Sequence, residues 1–161
     1  MVNVHECSVS IFKKALMFGA FPPVQVNVFI DGAWENCTAN AGSVVFDCAT
    51  QRSFCGSIEV PQALVERWSS DMGQTIYQIE MWALLSSQWR FEQKRVNRRV
   101  IAWIDNEAAR AAFVKCTSPS LTLASMCRVH CDMEGRWPTM TWVERVCSYS
   151  NPRPPSVAPV S

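Results

Sequence analysis

Three acids stand where the surrounding pattern calls for apolar residues. Asp31 ends the run "VQVNVFID" (24–31), Glu80 sits inside "QIEMWALL", and Asp105 ends "VIAWID" directly before Asn106. An unpaired carboxylate in such a setting is costly, so each must be ion-paired, at the surface, or holding a metal. Taken singly, a strand-end Asp reads as a turn former or helix cap, and one Glu in a helix as solvated or paired. Taken together the three need a cation, because neighbouring carboxylates suppress one another's ionisation. Magnesium or manganese meets that need with oxygen ligands and octahedral geometry, which leaves positions for water and phosphate oxygens. Two such ions are the usual device for in-line attack of water on a phosphodiester.

The elements that must position these acids follow from periodicity. Val24, Val26, Val28 and Ile30 alternate with Gln25, Asn27, Phe29 and Asp31, the period-two signature of a strand. "GSVVFDCA" (42–49) and "RSFCGSIEV" (52–60), joined by the turn "TQ", complete an antiparallel meander with it. Pro61 opens a short helix, "QALVERWSS". A longer helix over 74–95 is apolar around most of its circumference, which marks a central element. The fourth strand is 98–105, Asn106 caps the helix "EAARAAFVK", a further helix covers 120–137, and 139–146 is the fifth strand. This order predicts a mixed α/β fold: a five-stranded mixed sheet with a three-strand antiparallel meander, flanked by helices. In such a sheet the first strand and the strand after the long helix are neighbours. Asp31 and Asp105 would then lie side by side, with Glu80 reaching down from above.

Around this core, residues 1–22 read as an N-terminal extension, the end of a preceding domain being one source. Its "VSIFKKALMFGAFPP" has the pattern of a short amphipathic helix stopped by Gly19 and Pro22-Pro23. The domain proper is 23–148. The proline- and serine-rich 149–161 lacks core formers and is expected to be disordered.

At 161 residues and a net charge of +1, the chain has no global field to attract nucleic acid or membrane, so polyanion binding requires a local patch. The densest is "EQKRVNRR" (92–99), with Lys94, Arg95, Arg98 and Arg99; a solvated turn is its plainer reading. No apolar run approaches the roughly 20 residues of a membrane span, and no signal-peptide pattern precedes the cysteines. The eight cysteines read as reduced, mostly buried thiols of an intracellular protein, cytoplasmic or nuclear. His130, flanked by Cys127 and Cys131, lacks a second ligand pair for zinc and reads as a helix residue, partly buried or at its surface. Trp82, Trp89, Trp103, Trp137 and Trp142 fall mainly inside predicted elements and read as core.

"FIDGAWE", "QIEMWALL", "WIDNEAARAAFVKCTSPS" and "WVERVCSYSN" resemble, in order and approximate spacing, the ribonuclease H-like domain of retroelement reverse transcriptases. Such domains read "D-G-A", a helix with "E-x-x-A", "I-D-N-x-A-A", then "W-x-x-R-V-P-S-x-S-N" and "A-D-x-P-S-R". The likeness covers roughly residues 24 to 156. It implies a ribonuclease H fold and cleavage of the RNA strand of an RNA–DNA hybrid with two Mg2+ or Mn2+ ions. It also implies an adjoining reverse transcriptase domain as partner. Carried across, Asp31 would bridge the metals, Glu80 would hold one ion and orient substrate, and Asp105 would complete the core. Asn106 joins the four basic residues as a nucleic-acid contact. The departure lies at "SNPRPPSV" (150–157), where Arg153 or Pro154 stands near the family's fourth acid and Cys147 replaces a proline. That departure makes a catalytically impaired module, retained for nucleic-acid binding or as a structural remnant, the alternative reading. A 3′–5′ exonuclease of the same broad fold would carry Asp-x-Glu on the first strand; here Glu35 comes four residues after Asp31.

Overall fold

The computed structural model describes residues 5–6, 25–36, 38–70, 75–137 and 139–151. The expected N-terminal helix, the tail beyond Asn151, and the Arg153 and Pro154 positions lie outside the described residues.

The centre of the molecule is a strand buried along most of its length. After a two-residue edge strand, β1 (His5–Glu6), come β2 (Gln25–Glu35), β3 (Thr38–Asp47) and β4 (Arg52–Glu59). They form the expected antiparallel meander, with β1 added on the outer side of β4. Helices α1 (Gln62–Ser70) and α2 (Thr75–Arg90) follow, then a single turn, α3 (Glu92–Arg95). Strand β5 (Arg99–Ile104) pairs parallel with β2, and β6 (Met140–Arg145) parallel with β5. Between β5 and β6 lie α4 (Glu107–Lys115) and α5 (Leu121–Arg136). The sheet order is β1-β4-β3-β2-β5-β6. The five predicted strands are all present, and β1 extends the sheet to six.

Alternation in β2 has a cause other than solvent. Val26, Val28 and Ile30 face the helices and join one core with Ile79, Met81, Leu84, Val100, Ala102, Ile104, Ala109 and Phe113. The polar alternates are buried on the opposite face: the Asn27 amide donates to the Cys48 Sγ at 3.3 Å, and its Oδ1 accepts from Trp103 Nε1 at 3.0 Å. Phe29 stacks on Trp103 at 6.0 Å beside Val44, Phe46 and Cys55, a second and smaller core. β2 also runs four residues past Asp31 and turns at Asn36 (φ 50°), a left-handed position that Asn tolerates, so β3 begins at Thr38 rather than near 42.

The helix expected over 74–95 stops at Arg90. There the chain drops the buried Phe91 ring into the core and turns Arg95 inward. Arg95 is 2% exposed and donates to Glu134 Oε1 at 3.2 Å and to the Thr141 hydroxyl at 2.8 Å. Glu134 also accepts from the Thr141 backbone N–H and from Gln88, whose amide lies 2.8 Å from His130 Nδ1. Burial lowers the His130 pKa, and the ring packs edge-on against Phe113. His130 is therefore buried, further in than the partly buried or helix-surface role expected of it.

Two expectations are corrected. Cys55 is disulfide-bonded, while Cys48, Cys116, Cys127, Cys131 and Cys147 are free, so the thiols are not all reduced. Trp89 and Trp142 are 67% and 64% exposed and are not core residues. Among the described residues no helix is long and apolar enough to cross a membrane.

Removing one partner of a buried ion pair strands the other. Arg95→Ala should cost about 3–5 kcal/mol, read as a lowered urea midpoint with an unchanged slope. A loss under 1 kcal/mol would mean that Glu134 does not depend on Arg95.

Candidate active site

The carboxylates gather at one end of the sheet. Asp31 lies on β2 across from Gly42 of β3. The parallel pairing of β2 with β5 ends at Phe29 and Trp103, two residues short of Asp31 and Asp105, and the charges of both acids reach Glu80. Glu80 comes from the second turn of α2, which lies very close to β2 here. A Cβ on Gly32 would stand 2.9 Å from the Glu80 Cγ and 3.2 Å from its backbone nitrogen, closer than side chains pack. The Asp-Gly order is thus a spatial requirement: the acid, then room for the helix that brings the next acid.

Glu80 is 5% exposed, and its Oε2 is buried with no hydrogen-bond partner. Burial, then the charges of Asp105 and Asp31, push its pKa up to about 8, against hydrogen bonds from the Asn106 side chain and backbone N–H. At neutral pH this carboxyl keeps its proton. Asn106 does two jobs: its Oδ1 also accepts from the Ala108 and Ala109 backbone N–H groups at 3.0 and 3.1 Å, capping α4. Asn151, buried in the "SYSN" segment, donates to the Ile30 carbonyl at 2.7 Å, one residue before Asp31. Its role escaped sequence reasoning, although it falls within a quoted motif.

The three acids offer hard oxygen donors, mutual repulsion and one orphaned oxygen, the donor set a divalent cation suits. Among the described residues, however, no group of three Asp, Glu, His or Cys side chains is arranged to hold a metal ion. The acids are neighbours that would have to draw together around one.

The expected basic patch lies elsewhere. Arg98 immediately precedes β5, Arg99 begins it, and Asp105 follows its end, roughly 20 Å along the strand. Arg95 is buried against Glu134, which removes it from any phosphate. Arg98 reaches Asp47 Oδ1 at 2.6 Å and holds that carboxyl below its usual range, while Lys94 sits over the Phe54 ring at 4.7 Å. Arg99 is exposed. Among the described residues, Arg110 and Arg145 are cations at the carboxylate end, linked to Glu107 and Glu144 in a part-exposed cluster at 2.9 to 4.0 Å. Sequence reasoning passed over them because they are single residues rather than a run.

The fold is that of ribonuclease H. The chain is similar to RNase H1 from the halophilic archaeon Halobacterium salinarum NRC-1, with TM-score 0.63 and 14% identity over 81% of this chain and 91% of that one. The N-terminal RNase H domain of Rv2228c from Mycobacterium tuberculosis gives 0.60 at 12% identity, covering 79% and 85%. LC11-RNase H1 in complex with an RNA/DNA hybrid gives 0.55 at 15%, covering 80% and 90%. No family model and no curated protein matches the sequence.

The raised Glu80 value sets a pH signature for the metal-free protein. Below about pH 4.5 the folded and unfolded states both hold this proton; between 4.5 and 8 only the folded state does. Stability should therefore fall as pH rises through that window, by at most about 1.4 kcal/mol per unit, and level off above 8. Glu80→Gln should remove this slope in urea titrations run in EDTA. An unchanged slope would assign the effect to another group.

Proposed function

We propose that this chain is a metal-dependent nuclease domain that cleaves the RNA strand of RNA–DNA hybrids, derived from a retroelement reverse transcriptase. The observation that carries the reading is the convergence of Asp31, Asp105 and a buried Glu80 with an unpartnered oxygen. The ribonuclease H fold supports it, and one protein of similar fold was solved with an RNA/DNA hybrid.

Asp31, Glu80 and Asp105 would hold Mg2+ or Mn2+, two ions in the active enzyme. Bound there, the metal supplies an activated water and neutralises charge building on the phosphodiester. The chain's own residues set the stage. Gly32 admits α2, Asn106 steadies the Glu80 carboxyl while capping α4, and Asn151 pins the backbone ahead of Asp31. Arg110 and Arg145 stand at the same end and suit the hybrid's phosphates. Recognition would read backbone shape and 2′-hydroxyls rather than bases. An adjoining reverse transcriptase domain would deliver the hybrid.

A second reading, a module that binds hybrid without cutting it, is favoured by the absence of a closed ligand group among the described residues and by "SNPRPPS" in place of the fourth acid.

Incubation of an end-labelled hybrid with Mg2+ and with Mn2+ separates the two. Cleavage confined to the RNA strand, reduced more than roughly 10²-fold by Asp31→Asn, is the expected result. Retained binding with no cleavage in either metal would establish the second reading. Metal binding has its own readout. At pH 7 Glu80 holds a proton that a cation must displace, so Mn2+ addition in weak buffer should release it, and Glu80→Gln should not.

A further inference from the structure

We infer that Cys116 and Cys131 form a redox-modifiable dithiol that closes to a disulfide joining the end of α4 to α5. Their Sγ atoms lie 3.3 Å apart, both residues are exposed, and fifteen positions separate them in sequence. A disulfide needs about 2.05 Å, a closure within reach of a small side-chain rotation.

Cys116 occupies an unusual place for a side chain. It caps α4 in the left-handed conformation (φ 49°), where helices ordinarily take glycine. From there its thiol points both at the Phe113 carbonyl, 3.5 Å away, and at Cys131. The third thiol nearby is excluded. Cys127 is buried, donates to the Ala112 carbonyl at 3.3 Å, and is pushed up to about 11 by burial and then by its two neighbours. The Cys131 thiol is raised by its hydrogen bond with Cys116, by burial, and by the charges of Cys116, Asp132 and Glu134.

With a low-molecular-weight disulfide as oxidant, the steps balance. The Cys116 thiolate attacks one sulfur of glutathione disulfide, forming a mixed disulfide and expelling one glutathione thiolate. Cys131 Sγ, losing its proton, attacks the Cys116 sulfur and expels the second. Two protein thiols are oxidised, one glutathione disulfide is reduced to two glutathiones, and the two protons go to the departing thiolates. The product ties down α4 at the end away from Asn106.

The test is native-state incubation of the full chain with glutathione disulfide, alkylation of the remaining thiols, and peptide mapping by mass spectrometry. A Cys116–Cys131 cross-link, with the exposed Cys147 glutathionylated and Cys127 and Cys48 alkylated only after unfolding, is expected. Oxidation should raise the thermal midpoint by roughly 5–10 °C, an effect absent in C131S. In C131S, glutathione should remain trapped on Cys116. Separate glutathionylation of Cys116 and Cys131 in the wild-type chain, or no modification of either, would overturn the proposal.

Discussion

α2 lies against β2 so closely that a methyl group at position 32 would press on the Glu80 Cγ at 2.9 Å. That approach puts a carboxyl beneath a helix, out of water, within the fields of Asp31 and Asp105. In a low-dielectric site the repulsion is not screened, and the carboxyl responds by retaining its proton. Everything at this end of the sheet follows from the contact. Asn106 turns back to Glu80 from the start of α4, and Asn151 holds the strand that carries Asp31. A conventional core residue at position 80 would remove the repulsion and leave Asp31 and Asp105 without their third carboxyl.

The opposite end is organised by a buried cation instead. Arg95 gives up hydration to sit among Glu134 and Thr141, and the surrounding acceptors are shared with Gln88 and His130. This network ties α2, α3, α5 and β6 together. The two ends therefore use charge differently. One matches a cation with an anion inside the protein; the other gathers three carboxyls, of which the buried Glu80 keeps its proton.

That division explains which parts were legible in the sequence. The strands of the meander, the bounds of α1 and α4, and the partnership of β2 with β5 follow from local periodicity and element order. The three acids stood out because each interrupted an apolar pattern. The basic run "EQKRVNRR" misled for the converse reason: a cluster along the chain need not be a patch in space. Arg95 turned inward and Arg98 found Asp47, whereas Arg110 and Arg145, 35 positions apart, meet across Glu107.

The sequence by itself determined the alternation of β2, the acids at the ends of two strands, the glycine after Asp31 and the asparagine that caps α4, because each is a local relation between neighbouring residues. Only the tertiary structure decided how far Glu80 is buried, that Asn106 serves both a helix and a carboxyl, that two exposed thiols meet, and where the cations lie. Those properties depend on distances between segments far apart in the chain, and burial and Coulomb repulsion exist only once the chain has brought those segments together.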